Sequence, residues 1–457
     1  MGSSDGRGSS RTARREAAPL DGHPRAPRRC RPSAGRRPTR ILARTGSRRG
    51  RRSVRPGFGR RRSRPVWCGA SWDHGRHGLS TRAKNHRYRA AMSDEMNVVK
   101  TSRTPEELRG RLQAWLVATT DDPDAVIGPV SSPESNGMSS ESLFFDATWK
   151  EGSGSFVARV APAASDVPVF PTYDLHKQYD LIDLVAKQSS VPVPALAWME
   201  TDPSHLDQPF FVMHKVAGRV PPDIPPYPMG GWVRDLEPAD QVALQKASVA
   251  TMAGIHGIDI TDGKADFLEY DSALGETPLR RHFAVEKAYY EWTCEGAERR
   301  FPTIERAFEW VEANWPTEEP ESRISWGDSR IGNMMYESDG VNPVAVLDWE
   351  MACIAPRGLD VGWMCFMHTF FEFVLQKYGV DTMPSMLRPE DVREQYGEAS
   401  GVDVGDLRFE MVYNAVRHAS IMSRVHHRSV HFGTETWSDD PDDAFRFKEL
   451  LEEMIAD

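Results

Sequence analysis

Between Ile324 and Glu350 two short apolar runs, Met334 to Tyr336 and Val344 to Leu347, flank the turn cluster Ser338-Asp339-Gly340-Val341-Asn342. Strand-forming residues on both sides of an Asp-Gly turn predict a β-hairpin. Counting outward from Gly340 and Val341, Asn333 lies about seven residues back and Asp348 about seven forward, so the hairpin sets the two side by side. An amide oxygen beside a carboxylate makes a pair of hard ligands of the kind Mg²⁺ takes, with room left for waters and nucleotide phosphates. Asp328, five residues before Asn333 across a Gly-containing loop, is placed to accept a proton from an attacking hydroxyl. Taken singly, Asp328 also reads as a turn-former and Asp348 as a helix N-cap. The hairpin count favours the chemical reading.

Charge divides the chain in two. Residues 1 to 91 carry 25 Arg, one Lys and four acids (Asp5, Glu16, Asp21, Asp73), a balance of +22, whereas residues 92 to 457 carry 31 bases against 62 acids, or −31. The basic segment is rich in Arg, Gly, Pro and Ser, lacks any run of period 2 or 3.6, and is expected to be disordered. Its 25-to-1 Arg-to-Lys ratio points to translated GC-rich sequence upstream of a start at Met92 or Met96. That reading ranks ahead of a nucleic-acid-binding arm or an organelle transit peptide, so nucleic acid is not an expected partner. The remaining 366 residues suffice for one two-lobed enzyme or two ordinary domains. The five cysteines (Cys30, Cys68, Cys294, Cys353, Cys365) form no CxxC pair and no Cys/His cluster at zinc spacing. They read as free thiols in a reducing, cytoplasmic compartment. Val361 to Leu375, the longest apolar stretch, is broken by His368 and Glu372 and is shorter than the roughly 20 residues of a bilayer span. It predicts a buried helix, with no membrane association.

After Met92 a capped helix is predicted over about Thr104 to Thr119, with Pro105 at N1, Glu107 at N3, and Leu108, Leu112, Trp115 and Leu116 on one face. Strands follow at Val126 to Val130, Ser142 to Trp149 and Ser155 to Val160, the last two joined by the turn Lys150 to Gly154. A helix at Leu175 to Gln188, a Pro-interrupted strand at Val191 to Trp198 and a strand at Phe210 to Lys215 come next. Beyond the Pro-rich linker Val220 to Pro228 the text turns helical, at Ala239 to His256, Pro278 to Cys294, Thr303 to Asn314, Val361 to Tyr378, Pro389 to Ala399, Asp406 to His427 and Asp442 to Ile455. Strands followed by helices indicate an α+β fold in two lobes. The aromatic stripe Phe283, Tyr289, Tyr290 and Trp292 has helical spacing and reads as core, or in part as the lining of an acceptor pocket.

The D-x4-N loop from Asp328 to Asn333, the hairpin, the strand ending Leu347-Asp348-Trp349-Glu350, and Asp360 twelve residues beyond Asp348 together resemble the aminoglycoside phosphotransferase and choline kinase-like family. Within it they are most similar to the kinase-like domains related to those fused to acyl-CoA dehydrogenases. The resemblance covers about residues 120 to 430. It implies a two-lobed protein-kinase-like fold, with a small antiparallel β N-lobe over residues 92 to 218 and a mainly helical C-lobe over residues 219 to 457. It implies Asp328 as catalytic base, Asn333 and Asp348 as Mg²⁺ ligands, and Asp360 as a structural carboxylate bracing the catalytic loop. The implied cofactors are Mg²⁺ and ATP, with GTP as the alternative, and the implied partner is a small molecule bearing a hydroxyl.

Upstream pieces follow the same order. Gly137, Ser139 and Ser140 lie in Asn136-Gly137-Met138-Ser139-Ser140 between two strands, where amides and hydroxyls can cradle phosphates; the serines read equally as turn residues. Arg159 occupies the place of the family's phosphate-contacting strand lysine, or is a surface strand cation. Gln178 occupies the place of the helix glutamate. Met213 and Lys215, before Gly218, resemble the interlobe hinge whose backbone reads adenine. Arg330 reaches either an anionic substrate or a neighbouring carboxylate, and His256 at a helix end reads as structural.

Two departures stand out. The family usually places His two residues before the catalytic Asp, where this chain has Trp326, so the loop's tethering hydrogen bonds must come from elsewhere. Gln178 cannot form the charged pair that fixes the strand cation. Because Asp328, Asn333 and Asp348 are all present, a specialised subfamily of small-molecule kinases is favoured; the alternative is a non-catalytic nucleotide-binding pseudokinase. The acid excess favours a cationic acceptor such as an aminoglycoside or choline, whereas Arg330 and the suspected subfamily favour a hydroxyacyl thioester.

Overall fold

The computed structural model describes residues 103–132 and 140–456. The basic extension, Gly137 and Ser139 lie outside the described residues. The chain first forms a helix α1 (Pro105–Thr120), whose N-cap Thr104 side chain accepts from the Glu107 amide and which buries Leu108, Leu112, Trp115 and Leu116. That stripe packs on one face of a five-stranded antiparallel sheet of β1 (Val126–Ile127), β2 (Glu141–Trp149), β3 (Gly152–Val160), β4 (Leu196–Glu200) and β5 (Phe210–His214), ordered β1-β2-β3-β5-β4. The β2–β3 hairpin runs from Glu141↔Val160 to Trp149↔Gly152, with alternate β2 residues turned inward. Helix α2 (Leu175–Gln188) covers the other face, packing Leu181, Ile182 and Val185 with Val157, Phe211 and Met213.

β4 begins later than the sequence suggests. Pro192 and Pro194 cannot both enter a ladder, and the Pro192 carbonyl instead accepts from the Val346 amide at 2.8 Å, tying this segment to the hairpin far along the chain.

The remaining chain is mainly helical: α3 (Pro238–His256), α4 (Pro278–Ala297), α5 (Pro302–Ala313), α6 (Arg357–Lys377), α7 (Pro389–Ser400), α8 (Arg408–His431) and α9 (Lys448–Ala456). The expected helix at Asp442 to Ile455 is divided, a 3₁₀ turn at Pro441–Ala444 preceding α9. Two short antiparallel pairs sit among these helices. One is the expected hairpin, β7 (Met334–Tyr336) with β8 (Pro343–Val346). The other, β6 (Ser322–Ser325) with β9 (Cys353–Pro356), was not anticipated; each strand is four residues long, too short to show a period.

Buried on nearly every side through its first half, α6 carries Gly358 to His368 in the core, as an apolar stretch too short for a bilayer predicts. Among the described residues no helix is long and apolar enough to cross a membrane. Cys294, Cys353 and Cys365 are free and buried. Phe283, Tyr289 and Tyr290 of the stripe on α4 are buried, whereas Trp292 is only half-buried.

Candidate active site

Asp360, in the first turn of α6, organises the loop that leaves β6. Its carboxylate, 1% exposed, accepts from the Ser325 hydroxyl (2.8 Å), the Trp326 amide (2.7 Å), the Gly327 amide (2.9 Å) and His256 Nε2 (2.9 Å). Burial alone would raise its pKa, but these donors hold the carboxyl below its ordinary value. His256 is fixed in turn by the Tyr396 hydroxyl at 2.8 Å.

Trp326 supplies the second tether. Its indole N–H donates to the carbonyls of Leu347 (2.9 Å) and Asp348 (3.1 Å), joining the loop directly to the end of the hairpin. Gly327 follows at φ +90°, where a Cβ would lie 2.2 Å from the Met351 carbonyl oxygen, so the turn into Asp328 admits only glycine.

Three side chains then converge on Asp328. Asn333 Nδ2 donates to Oδ2 at 2.6 Å, Trp363 Nε1 to Oδ1 at 2.7 Å, and Arg330 Nε to Oδ1 at 3.1 Å. The same Arg330 holds Asp223 with NH1, at 2.7 and 2.8 Å to its two oxygens. Burial works against the Arg330 charge, but the carboxylates of Asp223 and Asp328 more than offset it and raise its pKa above arginine's ordinary value. Of the two partners open to Arg330, the neighbouring carboxylates are therefore the ones it takes.

Across the hairpin, the Leu347 amide donates to the Asn333 carbonyl at 2.9 Å, which puts Asp348 next to Asn333 as the count predicts. Asp348 adopts φ +60°, left-handed backbone that turns its side chain out of the strand direction. Its Oδ1 meets Arg159 NH2 at 2.9 Å, and Glu350 lies 4.0 Å from the same nitrogen. Arg159 also donates to the Ser142 hydroxyl at 3.1 Å. Gln178 is buried on α2.

With its amide nitrogen spent on Asp328, Asn333 turns its carbonyl oxygen away from that carboxylate. An amide oxygen and the Asp348 carboxylate, brought to the same end of the hairpin by the Leu347–Asn333 backbone bond, are the donor types a hard divalent cation takes when water and phosphate oxygens complete its shell. Ser140 is buried, and its hydroxyl has no partner among the described residues. Met213 pairs with Val157 on one side and Leu196 on the other. The Lys215 amide donates to the Ser155 carbonyl at 2.9 Å. Just beyond, Arg219 bridges to Tyr336 of the hairpin, and Gly218 permits that approach, since a Cβ there would lie 2.5 Å from the Tyr336 carbonyl oxygen.

Two residues reach this centre without having been singled out from sequence. Asp223 lies in the Pro-rich linker, read only as a spacer. Trp363 lies three residues after Asp360, inside a run read only as core. Its distance from Asp360, one helical turn, was the available signal.

A small antiparallel sheet and a helical lobe that meet at a D-x4-N loop and a D-W-E hairpin define a kinase-like, two-lobed α+β fold. The phosphotransferase enzyme family matches residues 136–401, and the chain belongs to it. Its curated relatives include the probable acyl-CoA dehydrogenase IBR3 of Arabidopsis thaliana, 26% identical over 55% of this chain and 31% of that protein. Another is acyl-CoA dehydrogenase family member 11 of Homo sapiens, 24% identical over 45% of this chain and 24% of that protein. The chain thus spans less than a third of the length of these relatives. Among solved structures, a Ralstonia eutropha protein provisionally named an aminoglycoside phosphotransferase is 21% identical, with TM-score 0.52, covering 76% of this chain and 96% of that one. Plasmodium vivax ethanolamine kinase is 9% identical, with TM-score 0.51, covering 84% and 95%. These two share the fold.

Proposed function

We propose that this protein transfers the γ-phosphoryl group of ATP, or of GTP, to a hydroxyl of a small molecule. The observation that carries the reading is the meeting of Asp328, Asn333 and Asp348 at one end of the hairpin, with Arg159 reaching the same point from the sheet. In this reading residues up to about 218 form the nucleotide-binding lobe and those after it the acceptor-binding lobe. Ser140 is assigned to the phosphates, a role the sequence also gives to Gly137 and Ser139, which lie outside the described residues, and the segment through Met213 and Lys215 is assigned to the base.

Asp328 accepts the hydrogen bond of the acceptor hydroxyl and takes its proton as the new P–O bond forms. The bond to the β,γ-bridging oxygen breaks, and the nucleoside diphosphate leaves. Arg159 holds phosphate oxygens as a planar cation. Asn333 and Asp348 hold Mg²⁺, which when bound supplies positive charge against the phosphates. Asp360 and Trp326 keep the loop in place so that catalysis comes from positioning and fixed charge.

The acyl-CoA dehydrogenase relatives make hydroxyacyl thioesters the first acceptors to try. Arg330 no longer argues for them, because its guanidinium is taken by Asp223 and Asp328. The acidic balance of residues 92 to 457 makes amino alcohols the second class.

The test is thermal stabilisation of the full chain by ATP or GTP, with and without Mg²⁺. Stabilisation that needs the metal and is lost in Asp348→Ala is expected. Asp328→Asn is expected to keep binding and to lose turnover by about 10²- to 10⁴-fold. Nucleotide binding with no turnover on either acceptor class would move the reading to a non-catalytic pseudokinase.

A further inference from the structure

Trp363 has a chemical demand that its surroundings meet in one place. Its side chain is 3% exposed, between α6 and α8, and a buried indole N–H needs an acceptor. That acceptor is Asp328 Oδ1 at 2.7 Å. The ring is not placed by apolar packing alone. The Arg417 guanidinium of α8 lies 4.9 Å from its centroid, and Arg417 is itself held by Glu286 of α4, Nε to Oε1 at 2.9 Å, and by Asn414 at 3.2 Å. A chain of contacts therefore runs Glu286, Arg417, Trp363, Asp328, through three helices into the catalytic loop. A cation over the face of an indole draws electron density from the ring and makes its N–H a stronger donor.

On the reading that Asp328 is the base, we propose that Trp363 is a positioning residue for it and that Arg417 sets the strength of that contact. Each carboxylate oxygen has two lone-pair directions. Trp363 and Arg330 Nε fill those of Oδ1, whereas Oδ2 has one short donor, Asn333, and a longer contact to Arg330 Nε at 3.3 Å. The indole thereby fixes the rotation of the carboxylate and leaves Oδ2 to face the acceptor hydroxyl. Phenylalanine keeps an apolar ring there but lacks the N–H, and because it is smaller than the indole, the response of the Trp363 resonance to Asp328→Asn, which leaves the ring in place, is what separates positioning from packing.

The experiment needs no identified acceptor. The full chain is labelled with ¹⁵N at its 13 tryptophans, and the Trp363 indole resonance is the one missing in Trp363→Phe. It is expected downfield of the other indole protons and slow to exchange with solvent. It should move upfield in Asp328→Asn and, by less, in Arg417→Met, while the other indole signals hold their positions. In parallel, basal ATP hydrolysis, with water as acceptor, is expected to fall about tenfold in kcat in Trp363→Phe with KM for ATP unchanged. A Trp363 resonance indifferent to Asp328→Asn, or a Trp363→Phe kcat within about twofold of the unaltered protein, overturns the positioning role. If Asp328→Asn hydrolyses ATP at the unaltered rate, the assignment of the base fails instead. Should Trp363→Phe fail to fold, the most downfield indole resonance and its response to Asp328→Asn still decide the contact.

Discussion

Arg159 and Asp348, 189 residues apart in sequence, meet at 2.9 Å, joining the central region of the sheet to the end of the hairpin. The acids that Arg159 meets among the described residues are those after β8, namely Asp348 and, at 4.0 Å, Glu350. Both members of the closer pair are largely buried, with side chains 11% and 15% exposed, so neither is left alone without cost.

Arg159→Met is therefore expected to weaken ATP binding by about tenfold or more while the sheet stays folded, because it removes a cation from the phosphates and leaves Asp348 unpaired. Arg159→Lys should recover only part of this, an ammonium lacking the fork that spans Ser142 and Asp348. Calorimetric titration with ATP and Mg²⁺ checks both. Unchanged affinity in the methionine variant would show that Arg159 serves the fold alone.

Asp360 offers a sharper test of what holds the loop. Asp360→Asn keeps the shape but replaces an acceptor-only group with one that presents N–H₂ to amides already donating. A loss of about 3–5 kcal/mol is expected, as for breaking a buried charged network. Because its folded pKa is depressed, the stability Asp360 contributes is present above the unfolded carboxyl range and is lost as pH falls through the folded pKa. Urea unfolding of both proteins at neutral and acidic pH reads this directly; a variant as stable as its parent at neutral pH sinks the idea.

Gly327→Ala isolates backbone geometry from chemistry. No catalytic atom is touched, yet a Cβ would sit 2.2 Å from the Met351 carbonyl oxygen at a φ of +90°. Strain of about 1–3 kcal/mol is expected together with loss of turnover, since Asp328 is the next residue. A folded Gly327→Ala protein with full activity would mean the loop has more freedom than its contacts suggest.

Much of this site was legible because its signals are local. The hairpin could be counted from Gly340, and α2 matched its apolar spacing at both ends. What stayed hidden depends on tertiary contact. Trp326 could be flagged as a departure, but its reach to the Leu347 and Asp348 carbonyls could not, since both lie beyond a hairpin whose twist the sequence does not print. Asp223 looks like linker until the loop is folded against it, and Trp363 looks like core, its spacing of one helical turn from Asp360 being the one local sign of its role. The β6–β9 pair is not legible because strands of four residues carry too little pattern, and β4 starts later than its apolar text because Pro192 and Pro194 bound the strand instead of interrupting it.

Glu410 gives the fold a pH dependence that lies outside the site. It sits on α8, 9% exposed, against Gly358 and Gly362 of α6, where added Cβ atoms would lie 2.9 Å from its Oε1 and 2.6 Å from its own Cβ. Those glycines let the helices approach, and the approach strips water from the carboxyl; Oε2 has no hydrogen-bond partner among the described residues. Burial pushes the pKa up to about 7 from 4.5, with Asp406 adding to the rise. The folded state thus prefers the neutral acid, while the unfolded chain ionises above about 4.5. The stability this preference contributes is complete below that value and is lost as pH rises to about 7, roughly 3 kcal/mol across the window. Glu410→Gln, neutral at every pH, should lose this slope and be the more stable protein at pH 8 by an amount of that order. Urea midpoints for both proteins at pH 5 and pH 8 decide it: if stability changes equally between the two pH values with and without the substitution, Glu410 is solvated in a way its packing against α6 does not allow.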